Sequence, residues 1–296
     1  MEINREIISE KFIEIQNKIC KALDEEDGLG KFTIENWKRE EGGGGITRIL
    51  QHGNVIEKGG VNFSAVHGIL PENIQSALNV SDSNFFATGV SIVIHPESPM
   101  VPIIHMNIRY FELANGAFWF GGGIDLTPHY IDEEDAKWFH LQLKNSCDKF
   151  DKTYYPKFKQ QADDYFFIPH RNETRGIGGI FFDRLNEGYS KNELLEFVLS
   201  IGNLFAPIYT RFMNKNCNLP YNSDHKKWQA IRRGRYVEFN LVYDKGTKFG
   251  LYTNGRIESI LMSLPENAGW FYNFVPKADS EEEKTLNLLK KGINWV

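Results

Sequence analysis

Two neighbouring runs constrain the fold more than any other part of the chain. Residues 89–96 read Gly-Val-Ser-Ile-Val-Ile-His-Pro, and residues 101–111 read Val-Pro-Ile-Ile-His-Met-Asn-Ile-Arg-Tyr-Phe. Both are β-branched and apolar, which predicts strands. Side chains alternate between the faces of a strand, so His105, Asn107 and Arg109 share one face of the second run. Ser91, Val93 and His95 share one face of the first. A turn around Pro96 to Pro99 would bring the two rows together. A buried strand face normally carries Val, Ile and Phe. One that carries Ser, His, Asn and Arg is costly to desolvate unless it lines a site. The arginine points to an anionic ligand, and the histidines to proton transfer or a metal.

The remaining elements follow from periodicity. Ile8, Phe12, Ile15 and Ile19 predict an amphipathic helix over residues 5–24, within an N-terminal helical segment 1–26. Gly42 to Gly45 enter a strand at Ile46 to Leu50 with no Gly-Lys-Ser/Thr behind them, which favours a flexible loop over a phosphate cradle. Asn115-Gly116 suits a type I′ hairpin turn joining the His105 strand to Ala117–Phe120. Asp132 can cap a helix reaching about Phe150. Ile177 to Phe182 is a strand, and residues 192–213 are a long helix. Tyr236 to Tyr243 alternates and predicts a strand, which turns at Asp244-Lys245-Gly246 and returns through Phe249 to Tyr252. A surface helix is expected after Asp279. No repeat or linker is visible, so the chain reads as a single α+β domain over residues 1–296, a large antiparallel sheet flanked by helices on both faces.

Composition narrows the class. The chain has 296 residues and a formal net charge of −5, so a nucleic-acid binder is disfavoured. Three scattered cysteines, Cys20, Cys147 and Cys217, fit free thiols in a reducing compartment. No signal peptide and no stretch of membrane-spanning length is apparent, and a cytoplasmic protein is expected. Aromatic content is high at 14%, which suits an aromatic-lined cavity or simply an aromatic core.

Several further residues are chemically suggestive. His95, His105, His140 and His170 stand in marked contexts, but none shares HxH or HxxxH spacing with another, so metal ligation and structural hydrogen bonding both remain open. Gly121-Gly122-Gly123 marks either close approach of a ligand or a bulge. Asp125 reads as an acid, a ligand or an Asx turn. Asp183 ends a strand beside Phe181 and Phe182 with Arg175 close in sequence; it is either a catalytic carboxylate or a salt-bridged one. Arg232-Arg233-Gly234-Arg235 is an anion site or a solvated helix end. In Asn254-Gly255-Arg256 a tight turn presents a guanidinium to a carboxylate.

Together these stretches resemble the oxygen-dependent coproporphyrinogen-III oxidase family. The resemblance rests on GVNFSAVHG at Gly60 to Gly68, GVSIVIHP at Gly89 to Pro96, VPIIHMNIRYFE at Val101 to Glu112 and WFGGGIDLTPHY at Trp119 to Tyr130. It continues with HRNETRGIGGIFFD at His170 to Asp183 and the run from Arg232 to Pro265. The resemblance implies oxidative decarboxylation of two propionates of coproporphyrinogen III to vinyl groups, giving protoporphyrinogen IX in haem biosynthesis, with molecular oxygen as co-substrate. It implies no flavin, haem or nicotinamide. It implies a homodimer assembled through about 236–271. It assigns substrate contacts to Ser91, Asn107, Ile108, Arg109, Asn254, Gly255 and Arg256, and a proton donor to His105. It assigns a divalent metal to His95, His105, His140 and His170. Asp183 and Arg175 are the expected catalytic partners of His105. The competing readings are a non-haem metal-dependent oxygenase and a non-catalytic tetrapyrrole carrier.

Overall fold

A single hairpin sets the frame of the sheet. The structure, a computed structural model, describes residues 3–70, 72, 75–76, 84–252 and 255–296. The strands are β1 (Thr33–Lys38), β2 (Gly43–Gln51), β3 (Ile56–Ile69), β4 (Asn84–Pro96), β5 (Ile103–Leu113), β6 (Phe118–Thr127), β7 (Phe167–Ile168), β8 (Glu173–Thr174) and β9 (Gly178–Leu185). Between β5 and β6 the Leu113 N–H donates to Ala117 O at 2.8 Å and the Gly116 N–H to Leu113 O at 2.9 Å. Gly116 has φ of 86°, whereas Asn115 stays at negative φ. This is the three-residue loop closed by a left-handed glycine, not the expected type I′ turn.

That difference decides the register. A two-residue turn would pair Ala114 with Ala117 and set His105 opposite Leu126, on the wrong face. The observed loop pairs Arg109 with Gly121, Asn107 with Gly123 and His105 with Asp125. The sheet then runs β1-β2-β3-β4-β5-β6-β9, antiparallel throughout, with β7 and β8 paired separately. Gly43 to Gly45 lie inside β2, paired with Val66, Ala65 and Ser64, so the glycine run belongs to the sheet and not to a flexible loop.

The described helices are α1 (Arg5–Asp27), α2 (Glu133–Cys147), α3 (Tyr154–Tyr165), α4 (Lys191–Asn216), α5 (Ser223–Val242), α6 (Lys245–Tyr252), α7 (Ile257–Leu261) and α8 (Glu281–Leu288). Asp132 caps α2 as expected, accepting from the N–H groups of Glu134 and Asp135. On one sheet face Val90, Ile92, Ile94, Ile104, Met106 and Ile108 join the apolar stripes of α1 and α4 in the main core. Asp27 fixes α1 to the β2–β3 turn: its buried carboxylate accepts from the N–H groups of Gly30, Asn54, Val55 and Ile56. On the other face Val93 and Ile103 pack on Tyr236 of α5. There Ser259 of α7 accepts from Asn62 Nδ2 through its carbonyl at 3.0 Å.

Residues 236–242 are helical and Tyr243 caps the helix, which corrects the strand expectation, and Phe249 to Tyr252 belong to α6. The buried stripe of α5 is Trp228, Arg232, Tyr236, Phe239 and Asn240, a helical spacing that a charged Arg and a polar Asn hide from a hydropathy reading. Arg232 and Arg233 are neither a solvated end nor an open anion site. Arg232 pairs with Glu173 at 2.7 Å, and Arg233 pairs with Glu57.

Candidate active site

The sheet face that α5 and α7 leave partly open carries three polar rows. Asn62, Ser91, Asn107 and Gly123 are successive register partners across β3 to β6. Val93, His105 and Asp125 form the row on one side of it, and Gly89, Arg109 and Gly121 the row on the other. His105 and Arg109 are therefore four residues apart on one strand, about 13 Å at 3.3 Å per residue. Ile108 is fully buried in the core on the opposite face. Strand alternation thus removes its side chain from the expected substrate-contact set.

Register brings His105 and Asp125 into contact. His105 Nδ1 lies 2.7 Å from Asp125 Oδ1. Asp125 also accepts from Arg175, from Nη2 at 2.7 Å and 2.9 Å and from Nε at 3.3 Å. Arg175 in turn donates from Nη1 to Asn240 Oδ1 at 2.9 Å. Its guanidinium lies 4.5 Å, 4.6 Å and 4.7 Å from the ring centres of Phe166, Tyr236 and Phe239. Side-chain exposure falls from 19% at His105 to 1% at Asp125 and 2% at Arg175. Burial pushes the Asp125 carboxyl up, but Arg175 and the His105 N–H outweigh it and hold it below its ordinary value. An ionised Asp125 accepts from Nδ1–H, so the neutral His105 carries its proton on Nδ1. Among the described residues no group bonds His105 Nε2. The imidazole is thus oriented from behind, with Nε2 free to exchange a proton with a ligand.

Arg109 supplies the positive charge of the same face. It donates to Asn107 Oδ1 at 2.9 Å and to Asp183 Oδ1 at 2.7 Å. The partner of Asp183 is therefore Arg109 and not Arg175, and its side chain is 50% exposed. The extended β9 carries Asp183 away from Arg175, so the water-excluded pairing expected from sequence proximity does not form. Arg175 likewise lies behind Asp125, with its side chain 2% exposed and its guanidinium bonded to that carboxylate. Arg256 pairs with Glu35, and the Gly255 N–H donates to Gly250 O at 2.8 Å. Asn254 lies outside the described residues.

Sequence reasoning missed Phe166 and Asn240, which hold Arg175, and Tyr165. Tyr165 stacks on Phe181 at 4.1 Å between ring centres and donates to Asp244 Oδ1 at 2.7 Å. Nothing in the local pattern marks these residues, because their roles arise from packing α3 and α5 against the sheet. A concavity of about 590 Å³ lined by His52, Glu57, Glu97, Lys226 and Arg233 contains none of the site residues. Its charges are engaged with one another: Lys226 with Glu97, Arg233 with Glu57 and His52 with Glu266.

The four candidate metal histidines do not converge. His95 Nε2 lies 2.9 Å from Ser263 O, and His105 bonds Asp125. His140 lies between Tyr155 Oη and Ile177 O, each at 3.0 Å. His170 lies between Tyr243 Oη and Glu238 Oε2, each at 2.7 Å. Among the described residues no three His, Cys, Asp or Glu side chains are placed to hold one ion. These four residues do not fit a shared metal site.

The arrangement sets an imidazole oriented by a buried carboxylate on the same sheet face as a guanidinium. The chain belongs to the coproporphyrinogen III oxidase family, whose model matches residues 7–295. It is 51% identical over 298 residues to the oxygen-dependent coproporphyrinogen-III oxidase of Drosophila melanogaster, covering 96% of this chain and 76% of the relative. It is 50% identical to the chloroplastic enzyme of that name from Glycine max, covering 97% and 78%. Against the mitochondrial one from Homo sapiens it is 49% identical, covering 96% and 65%.

The buried histidines make a pH prediction. Burial pushes His140 down from 6.5 to about 3, and burial with nearby Arg233 holds His95 well below 6.5. The unfolded chain binds protons that the folded chain refuses, so their contribution to stability is complete above about pH 6.5. It is lost as pH falls towards the folded values, by about 1.4 kcal/mol per pH unit for each such histidine. Urea midpoints should therefore fall between pH 7 and pH 5, and His140→Gln should flatten that slope. An unchanged slope in the variant would contradict the assignment.

Proposed function

We propose that this protein is an oxidoreductase that converts coproporphyrinogen III to protoporphyrinogen IX with molecular oxygen, a step of haem biosynthesis. The observation that carries the reading is the Asp125-oriented His105 on the same sheet face as Arg109, in a chain about half identical to proteins bearing that enzyme's name. For each side chain converted, one propionate anion, one dioxygen and one proton give a vinyl group, carbon dioxide and hydrogen peroxide. The substrate is an electron-rich ring that gives up two electrons per vinyl formed, so the protein's work is to hold carboxylates and to move protons.

Arg109 and Arg256 bind propionates, with Ser91, Asn107 and Gly255 as further polar contacts along the face. Asn254 is part of that set by resemblance. His105 Nε2 takes the pyrrole N–H proton and returns a proton to the peroxide. Asp125 fixes the imidazole tautomer, and Arg175 holds Asp125 ionised. We assign Asp183 to the mouth of the site as the partner of Arg109, because its exposure gives it no shielded environment in which to act as a base. No step is routed through a metal, and no observation favours the metal-oxygenase or carrier readings.

Two further parts of the reading rest on surface features. We assign a homodimer through 236–271, supported by the exposed Leu241, Val242, Phe249, Tyr252, Ile257 and Trp270 on and beside α5 to α7. The cytoplasm is our choice of compartment, supported by three free cysteines. No described helix is long and apolar enough to cross a membrane.

Incubation with coproporphyrinogen III in air should release protoporphyrinogen IX, carbon dioxide and peroxide. His105→Ala should lower kcat by about 10²- to 10⁴-fold. Arg109→Ala should mainly raise KM, by about 10- to 100-fold for a lost charge-assisted hydrogen bond. Binding without turnover in the parent protein would favour a carrier. Light scattering at micromolar concentration should give twice the chain mass, and a monomer would overturn the dimer assignment.

A further inference from the structure

We propose that Gly121 is a positioning residue for Arg109: its missing side chain lets the guanidinium lie across β6 and reach the carboxylate position held by Asp183. The proposal rests on the reading above, in which Arg109 takes a substrate propionate, and it names the residue that sets where that propionate sits.

Three observations meet here. Arg109 and Gly121 are register partners on β5 and β6. The pairing of β6 with β9 shifts register between Phe120 and Gly122, so the glycine stands at an irregularity of the sheet. A Cβ placed on Gly121 would lie 2.7 Å from Arg109 Nε and 2.8 Å from both Cζ and Nη2, far closer than real Cβ contacts allow. The guanidinium therefore occupies the space that a side chain at 121 would fill. From there it reaches Asn107 Oδ1 and Asp183 Oδ1 at once.

The neighbouring glycines differ in kind. A Cβ on Gly89 or Gly123 would meet a main-chain carbonyl at 2.6 Å, and one on Gly179 would meet another at 2.0 Å. Alanine at those positions disturbs the sheet itself. At Gly121 the three nearest atoms all belong to the end of one flexible side chain, and its φ lies outside the left-handed region. Alanine at 121 is thus compatible with the backbone and incompatible only with the present place of the guanidinium. Hydrogen bonds weaken steeply with misdirection, so moving the guanidinium off the strand surface should cost the carboxylate contact. His105 lies four residues along β5 and keeps its own partner.

The test is equilibrium binding of coproporphyrinogen III without oxygen, with KM and kcat measured in air, for Gly121→Ala, Arg109→Ala and the double variant. Gly121→Ala should bind about tenfold more weakly, with KM raised and kcat retained. Adding it to Arg109→Ala should cost nothing further, because both changes remove the same contact. Parent-like binding by Gly121→Ala beside weakened Arg109→Ala overturns the proposal alone, and so does an undiminished Gly121 effect in the Arg109→Ala background. Parent-like binding by Arg109→Ala overturns the propionate reading and this proposal with it. Should Gly121→Ala fail to fold, the double variant decides. A parent-like thermal midpoint there supports a clash with the guanidinium, and failure there as well overturns the proposal.

Discussion

Asp125 and Arg175 are both almost wholly removed from water, and neither charge could persist there without the other. Removing one partner of such a pair typically costs about 3–5 kcal/mol, since the other charge is left buried. Here the pair is satisfied from every side. Asp125 accepts from Arg175 and His105, and Arg175 has Asn240 and three aromatic rings around it. The interaction ties β6, the β8–β9 segment and α5 to one point on the sheet face of His105. His105 stands on that point, so what fixes the imidazole is the same contact that joins three parts of the fold.

The division of the sheet into two faces follows. One face is closed by α1 and α4 over branched aliphatic side chains and supplies the core. The other is covered only in part, by α5 and the segment around α7, and bears polar residues at alternate positions. A carboxylate-rich macrocycle needs cationic and hydrogen-bonding groups spread over a broad surface, not gathered at one point. Rows of a sheet, each about 7 Å from the next along a strand, supply that spread.

Much of this was legible in the sequence, through the period of two in 101–111 that put His105, Asn107 and Arg109 on one face. The same alternation should have excluded Ile108, which entered the contact set only through the resemblance. What was not legible was the pairing. Asn115-Gly116 announced a hairpin, yet the extra residue Ala114 in its loop decides whether His105 meets Asp125 or Leu126. The C-terminal half of the helix at 223–242 reads as a strand because the buried stripe includes Arg232, whose charge is satisfied by Glu173 from a distant segment. Asp183 and Arg175 look adjacent in the chain, but an extended strand between them advances about 3.3 Å per residue. For Arg232 and Asp183 a long-range partner determined the outcome, and local pattern carries no record of it.

An ionised Asp125 fixes His105 with its proton on Nδ1, and among the described residues it leaves Nε2 without a hydrogen-bond partner. Nitrogen-15 NMR of the imidazole in alkaline buffer reads this directly, because the two ring nitrogens differ according to which carries hydrogen. A single Nδ1–H tautomer is expected for His105 in the parent protein, with loss of that preference in Asp125→Asn. An Nε2–H tautomer in the parent, or the same spectrum in both proteins, would contradict it.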